Sequence, residues 1–561
     1  MQKIITAAGI GEIDRLTAEQ FGIPSLLLME TAAGAALSEI TARFPHTTAK
    51  RHAIVLCGTG NNGGDGAALA RLLWLRRGWQ IQIVLFGTIE STRGDARTNF
   101  EIARRLSHSA KSFGASKEML RFDECETRAE CEELFDHGDE YDVIVDSLFG
   151  TGLNRPLEGL FSYVVERVNL IREERQANDG DRPFVVSLDL PSGLDADKAQ
   201  PVGANVQADL TVTFTAPKPA NALAPAARFG GELVVASVGS PSSLVERAAS
   251  QLFMIDRSDA FAWLRQTRYQ SGSYKKRHGH ALVVAGSRGM SGAALLCGEA
   301  AMCAGAGLIT VATPVSAFTA VSSRSMPEIM TAALAETEQG TVSAQAIEGI
   351  NKLLERATVL AVGPGLGAPN DEEVRSLVRR LVEHRRTPVV LDADALNALA
   401  PWPEELRGSA EHPLILTPHE GEMRRLLGSK NEAEALTADR VSAARDFATK
   451  HEIILVLKGE RTLIAAPDGR VFVNPTGNAG LGTAGAGDTL TGIITSFIAQ
   501  TFGLTSEKSD ALAAVLAALY VGGVAGDIAA QKYGMRAMIA SDVRESLSEA
   551  FRQLDPEGEA P

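Results

Sequence analysis

Cysteine is scarce in this 561-residue chain: five residues, at positions 57, 125, 131, 297 and 303, with no Cys-x-x-Cys pair and no histidine cluster beside them. That argues against zinc, and an odd, scattered set fits a reducing compartment rather than a disulfide-bonded secreted fold. Positive charge is also short. The 55 Lys and Arg stand against 69 Asp and Glu, a net charge of −14, which argues against general binding to nucleic acid or an anionic membrane. A nucleotide is not excluded, because loop amides and a few local lysines suffice to hold one. A secretory signal is not evident, since Met1 to Asp14 carries only a short apolar run before Glu12. One long stretch without charge, Ala300 to Ser323, is interrupted by Gly305, Gly307 and Pro314. It reads as helix end, turn and strand (Leu308 to Ala312) of a buried α/β core rather than as a membrane span. No Gly-x-x-x-x-Gly-Lys-Ser/Thr segment occurs, so a P-loop mechanism is not indicated. The expectation is a cytoplasmic protein with no nucleic-acid or membrane partner.

What is present is ordinary globular composition, 45% hydrophobic and 22% charged, on a chain too long for one core. In the first half, Ala53–Leu56, Ile81–Phe86, Val143–Val145, Phe184–Leu188 and Leu210–Phe214 read as strands of a parallel sheet, with Leu233–Val238 a sixth candidate. Between about Gly239 and Arg268 strand-like alternation gives way to Ser/Pro and then a polar helix, which suggests domains over residues 1–245 and 246–561. The second half starts afresh with Ala281–Ala285. It continues through Val359–Val362, Val389–Leu391, Leu414–Leu416, Ile453–Lys458, Leu463–Ala465 and Val471–Val473, with Ala-rich helices after residue 490. Both halves are α/β with mostly parallel sheets, and no repeat joins them.

Two glycine-rich loops carry the chemistry. The first, Cys57 to Gly66, contains Gly60-Asn61-Asn62-Gly63-Gly64-Asp65-Gly66 directly after a strand; Asp146-Ser147-Leu148-Phe149-Gly150-Thr151-Gly152 and Asp189-Leu190-Pro191-Ser192-Gly193 follow two other strands. Glycines let backbone amides approach a phosphate, and ligands of parallel sheets sit at the carboxyl ends of strands. The segment Gly58 to Gly63 also matches Gly-x-Gly-x-x-Gly, but the next strand ends in Gly87-Thr88 instead of a ribose-binding acid. Asp189 and Asp146 serve equally well as turn or helix caps when taken singly, and Lys218 after Pro217 either points into the site or stands exposed. In combination the three loops resemble the NAD(P)H-hydrate epimerase family (the YjeF N-terminal domain) over roughly residues 1–240. The family's Met-Glu-Asn/Arg-Ala-Gly appears here as Met29-Glu30-Thr31-Ala32-Ala33-Gly34, a departure at Thr31. The resemblance implies a Rossmann-like three-layer sandwich. It implies that Asn61, Asn62, Gly63, Gly64 and Asp65, together with Gly150, Thr151, Gly152, Leu153, Asn154, Arg155 and Pro156, hold the hydrated dinucleotide. It also implies that Asn62, Asp146 and Ser192 bind K+ and that Asp189 is the acid/base that interconverts the R and S forms.

The second loop, Gly480 to Thr489, ends in Gly485-Ala486-Gly487-Asp488 before a helix. Such a carboxylate takes a proton from an attacking hydroxyl while loop amides hold charge on a transferred phosphoryl, as in enzymes of the ribokinase type. With it occur Gly363-Pro364-Gly365-Leu366-Gly367, Leu391-Asp392-Ala393-Asp394, Thr417-Pro418-His419-Glu420-Gly421-Glu422, Lys458-Gly459-Glu460-Arg461-Thr462 and Arg288 to Ala294. Gly363 to Gly367 is also compatible with a plain tight turn, and His419 with a cap. The set resembles the ADP-dependent NAD(P)H-hydrate dehydratase family, a ribokinase-like α/β/α fold, over roughly residues 265–550. That resemblance implies ADP contacts from Lys458, Gly459, Glu460, Arg461, Thr462 and Gly487. It implies a hydrate pocket lined by Ala293, Gly365 and His419, with Asp488 as base. Mg2+ is expected with the phosphates, through Asp394 or Glu422 or through other ligands. Two such domains in one chain resemble bifunctional NAD(P)H-hydrate repair enzymes, acting on the hydrates of NADH and NADPH (NADHX and NADPHX) with ADP as co-substrate. Self-association into a homo-oligomer is compatible with the Ala-rich helices. The alternatives are a kinase of a small hydroxyl compound, a non-catalytic first domain such as those of mRNA-decapping scaffolds, and a nicotinamide-dependent oxidoreductase.

Overall fold

The computed structural model describes residues 1–44, 51–112, 120–135, 141–177, 182–367, 370–504 and 509–558. The chain divides into two compact units, residues 2–250 and 251 onward.

In the first unit, seven strands form one sheet: β1 (His52–Cys57), β2 (Gln80–Phe86), β3 (Leu120–Cys125), β4 (Val143–Ser147), β5 (Phe184–Leu188), β6 (Leu210–Phe214) and β7 (Glu232–Ala236). Their order is β3-β2-β1-β4-β5-β6-β7, and every pairing is parallel. The apolar runs of the central strands follow from this, because both faces are covered. Along β1, Ala53, Val55 and Cys57 pack with Ala33, Ala36, Ala68 and Leu72 on one face; Ile54 and Leu56 pack with Val164, Val165 and Val168 on the other. The result is a three-layer sandwich. Strand order reverses between β1 and β4, which opens the crevice where ligands of such sheets bind.

Strand β3 is absent from the sequence reading. Its sequence, LRFDEC, is half charged because it lies at the sheet edge and pairs only with β2. The sixth candidate strand is one residue shifted at its start and ends at Ala236.

The second unit contains β8 (Leu252–Met254), β9 (His280–Val284), β10 (Leu308–Pro314), β11 (Met330–Leu334), β12 (Val359–Val362), β13 (Val389–Leu391), β14 (Leu414–Leu416), β15 (Ile454–Leu457), β16 (Leu463–Ala465) and β17 (Val471–Val473). They lie in the order β8-β17-β16-β15-β14-β13-β12-β9-β10-β11. Only the β15–β16 and β16–β17 pairings among them are antiparallel. The uncharged stretch at 300–323 has the expected helix end at Cys303 and the expected strand, β10 running on to Pro314, and then a helix over Val315–Ser322 that is absent from the sequence reading. Helix Ala511–Tyr533 is long and apolar enough to cross a membrane, yet most of it is buried within the protein. It packs against helices Ala486–Gly503 and Ala540–Leu554 and supplies Val515, Leu519 and Val521 to the core.

Candidate active sites

At the first crevice the β1 and β4 loops are stitched together by the Gly58 N–H donating to the Ser147 carbonyl at 3.1 Å. A methyl on Gly58 would stand 2.0 Å from the Leu148 carbonyl oxygen, and one on Gly63 1.8 Å from the Gly58 oxygen. Only glycine permits that approach. Gly58→Ala is therefore expected to cost the first unit about 3 kcal/mol, read as a lower urea midpoint.

Asn61 opens the helix Asn61–Arg77 and is exposed, whereas Asn62 behind it is 9% exposed. Both side-chain polar atoms of Asn62 lack a partner among the described residues. Gly150 faces Asn62 and Asp189 together: a Cβ there would be 3.4 Å from the Asn62 Cβ and 3.1 Å from Asp189 Oδ2. Asp146 is fully buried at the end of β4 and accepts bonds from Ser187 Oγ (2.8 Å), the Ser192 N–H (2.8 Å) and Ser192 Oγ (2.5 Å). Burial raises its carboxyl above the ordinary range even against those bonds. An unpartnered amide oxygen, a serine hydroxyl and a carboxylate, carried on the three loops that meet here, are oxygen donors of the kind that suits a hard cation such as K+.

Asp189 follows β5 in the left-handed region, φ 66°, which a non-glycine residue seldom adopts. Its Oδ1 accepts from Lys218 Nζ in a short ion pair and from Thr213 Oγ1 at 3.1 Å. Lys218 is wholly buried, the inward of the two positions open to it, and its Nζ also donates to Thr213 Oγ1 (2.9 Å) and the Phe214 carbonyl (3.0 Å). Asp65 is partly accessible at its surface, but its carboxyl is pushed well up by burial and by the neighbouring Asp189 and Asp14. Asn62, Asp65, Asp146, Gly150, Asp189 and Ser192 thus stand at the carboxyl ends of the adjacent strands β1, β4 and β5. Thr151 is half-buried and Gly152 exposed; Leu153 packs into the core and Asn154, Arg155 and Pro156 are exposed. Thr31 is exposed and bonds only its own helix, to the Leu27 carbonyl.

In the second unit, the carboxyl ends of five adjacent strands, β9, β12, β13, β14 and β15, come together. Gly365 has φ 60°, and a Cβ there would be 2.8 Å from the Ala293 Cβ, so these two expected pocket residues adjoin. Gly367 N–H donates to Asp394 Oδ2 at 2.8 Å. Asp392, 1% exposed at the end of β13, is the hub: its Oδ1 accepts from Lys458 Nζ (2.7 Å) and Thr417 Oγ1 (2.9 Å), and its Oδ2 from Thr491 Oγ1 (2.8 Å). Those bonds join the Lys458 loop to the helix Ala486–Gly503 that carries Asp488 in its first turn. Gly485 turns into that helix at φ 82°. Burial, and then Asp392 nearby, lift the Asp488 carboxyl to about 6.

His419 does act as a cap: Nδ1 accepts from the N–H of Gly421 (3.0 Å) and Glu422 (3.3 Å), while Glu422 Oε2 accepts the His419 N–H (2.9 Å). Its ring edge remains exposed beside Lys458, whose own N–H donates to the Pro418 carbonyl. Gly459 and Glu460 are exposed and Thr462 half-buried, with Thr462 Oγ1 donating to the Gly459 carbonyl (3.0 Å). Gly487 faces Lys458, whose Nζ would be 3.4 Å from a Cβ there. Sequence reasoning missed Arg440. Its guanidinium bonds the Glu460 and Lys458 carbonyls (3.3 and 3.5 Å), and that of Arg461 the Pro475 carbonyl (3.0 Å). Burial pulls both below the usual arginine range. Half-buried cations bonded to carbonyls rather than carboxylates suit a phosphate-bearing ligand. Among the described residues no group of three His, Cys, Asp or Glu side chains can cage a metal, so a divalent ion here needs oxygens from the ligand itself.

Two family models match: the YjeF-related protein N-terminus over residues 25–220 and NAD(P)H-hydrate dehydratase over residues 281–549. A protein from Moorella thermoacetica named bifunctional NAD(P)H-hydrate repair enzyme Nnr is 40% identical over 558 residues, 99% of this chain and 98% of that protein. One of the same name from Escherichia coli is 31% identical, covering 97% of this chain and 92% of its own. Among solved structures, an ADP/ATP-dependent NAD(P)H-hydrate dehydratase from Bacillus subtilis, co-crystallised with ATP/Mg2+, is 28% identical over 54% of this chain and 99% of that one, with a TM-score of 0.45. Two glycine-lined sites in the order of the two family models, along nearly the full length of such relatives, mean that this chain belongs to the family of bifunctional NAD(P)H-hydrate repair enzymes.

Proposed function

We propose that the two units carry out successive steps in restoring hydrated nicotinamide cofactors. The first interconverts the R and S hydrates of NADH or NADPH, and the second uses ADP to dehydrate the S form. The observation that carries this reading is that each strand-end crevice holds its own carboxylate, Asp189 or Asp488, within a glycine-lined cradle.

In the second site Asp488 takes the proton of the C6 hydroxyl as that oxygen bonds to the β-phosphorus of ADP and the bond to AMP breaks. Amides at the start of helix Ala486–Gly503 hold the charge that develops on the moving phosphoryl. Phosphate then leaves C6 with its bonding pair, a proton leaves C5, and the C5–C6 double bond returns. Lys458, Gly459, Glu460, Arg461, Thr462 and Gly487 hold the nucleotide, with Ala293, Gly365 and His419 against the hydrate. Mg2+ would sit between the phosphates and a carboxylate such as Asp394 or Glu422, where it neutralises phosphate charge. A base works only when ionised, so kcat/KM for dehydration should rise about tenfold per pH unit up to about 6 and level off above it. A flat profile from pH 5 to 8 removes Asp488 from that role.

In the first site Asn61 to Asp65 and Gly150 to Pro156 hold the hydrate, and Asp189 exchanges protons with it. K+ would be held by Asn62 Oδ1, Asp146 and Ser192 and would offset the buried Asp146 charge. Replacing K+ by tetramethylammonium should slow epimerisation roughly tenfold or more and leave dehydration of pure S hydrate unaffected by this site. Equal epimerisation in both salts would take K+ out of the site. Pure S hydrate with ADP and the enzyme should regain absorbance at 340 nm. If it does not, the dehydratase reading fails, and a small hydroxyl substrate phosphorylated without elimination becomes the better reading. We place the protein in a reducing compartment, in keeping with five free cysteines.

A further inference from the structure

Epimerisation at C6 asks for more than one proton-transfer group. C6 carries both N1 and the hydroxyl, so it opens when a base takes the hydroxyl proton, the O–H pair becomes the C=O bond, and the C6–N1 pair moves to N1. Nitrogen must gain a proton in the same event. Rotation about C5–C6 turns the other aldehyde face to N1, and reversal closes the ring as the opposite epimer. The base needs an acid partner, and Asp189 is already committed to Lys218.

Helix Ala7–Phe21 supplies a candidate. Its inward stripe is Ile10, Ile13 and Thr17, all buried, and Asp14 falls on the same stripe and is half-buried. Glu12 and Glu19 lie on the outer side, both paired with Arg15 in solvent. An acid on an inward stripe is costly unless the fold has a use for it. Among the described residues Asp14 has no hydrogen-bond or ion-pair partner, so it caps none of the described elements. The helix is fixed at the carboxyl ends of β5 and β6, beside Asp189 and Lys218: the Ile5 N–H donates to the Pro217 carbonyl (2.9 Å), the Ala7 N–H to Asp197 Oδ1 (2.7 Å), and Ile10 and Ile13 pack on Ala216. Asp14 thereby comes within electrostatic reach of Lys218 and Asp189, and Asp65 in turn feels Asp14. Asn62 faces Asp189 across Gly150, and both of its buried polar atoms lack a partner among the described residues. Three carboxyls, Asp14, Asp65 and Asp189, thus share one buried cation, Lys218. Among the described residues, the other charged side chains on neighbours packed against helix Ala7–Phe21 are Asp195, Asp197 and Lys198 of the loop after β5, and Glu246 and Arg247 of helix Ser242–Arg247, which touches this helix through Leu244 and Val245.

We propose that Asp14 is a second catalytic carboxyl of the epimerase, giving its proton to N1 as Asp189 takes the hydroxyl proton, and recovering it on ring closure. The step returns both groups to their starting states and consumes nothing. The inference rests on the epimerase reading above. Asp14 is the better exchanger than Asp65, because burial beside Asp189 sets it at about 6, near working pH, whereas Asp65 lies well higher.

The test follows R-to-S conversion without ADP, corrected for the uncatalysed rate, with thermal unfolding alongside. Asp14→Asn should lower kcat by roughly 100-fold or more with KM changed little, and Asp14→Glu should recover part of the loss. In the wild type, kcat/KM should fall as pH rises past about 6, where the donor loses its proton, and Asp14→Asn should lack that fall. The wild-type profile decides the matter even where a variant does not fold. Asp14→Asn with kcat within threefold of wild type, or a wild-type profile with no fall above 6, overturns the proposal. A wild type that does not epimerise at all overturns the underlying reading instead.

Discussion

Replacing Asp488 by asparagine should lower ADP-dependent dehydration of the S hydrate by about 10³-fold and leave R/S interconversion at its wild-type rate. The side chain keeps its volume, so the helix start and the Asp392 hub stay in place. Thr491 and Lys458 bond Asp392 rather than Asp488 and lose no partner. What goes is the base, so kcat should fall while KM for ADP moves little. The rise of kcat/KM up to about pH 6 should vanish with it. A variant that retains a tenth of the wild-type rate would mean that another group accepts the hydroxyl proton.

Asp189 is the second large effect, and it acts on stability as well as rate. Asp189→Asn should reduce epimerisation by roughly 10³-fold. It should also cost the first unit about 3–5 kcal/mol, because it strands the Lys218 ammonium in the core. Thr213 and the Phe214 carbonyl would still accept from Nζ, but neither carries a charge to balance it. Adding Lys218→Met should restore most of the stability and none of the activity. The double-mutant cycle in urea, with R-to-S rates on the same samples, separates the two roles. If Asp189→Asn unfolds at the wild-type midpoint, the pair has no structural weight.

The signals that were legible in the chain are those with local chemistry. β-Branched runs ended by Gly, Asp and Asn gave the strand ends, and with them Asn62, Asp146, Gly150 and Asp189 at one crevice and Gly365, Lys458 and Asp488 at the other. Relations formed only by folding were not legible. A single lysine after proline reads as exposed or buried with equal ease, and only folding brings Asp189, Thr213 and the Phe214 carbonyl around the buried Lys218 ammonium. The Asp392–Lys458 pair spans 66 positions, which no local pattern marks. Strand β3 was hidden by its edge position, where three of six residues are charged. Asp14 did leave a trace, an acid on the 10-13-14-17 stripe of an amphipathic helix, but that reads as an ordinary surface residue until the helix is seated.

The central claim is that one chain holds two independent sites acting in series. Its most direct test starts from pure R hydrate with ADP, Mg2+ and K+ and follows absorbance at 340 nm. Wild type should recover it fully. Asp189→Asn and Asp488→Asn should each fail alone beyond the uncatalysed rate, and an equimolar mixture of the two should recover it, because the S hydrate made by one variant is consumed by the other. Recovery by either variant alone at the wild-type rate, or none by the mixture, would contradict the assignment of one step to each site.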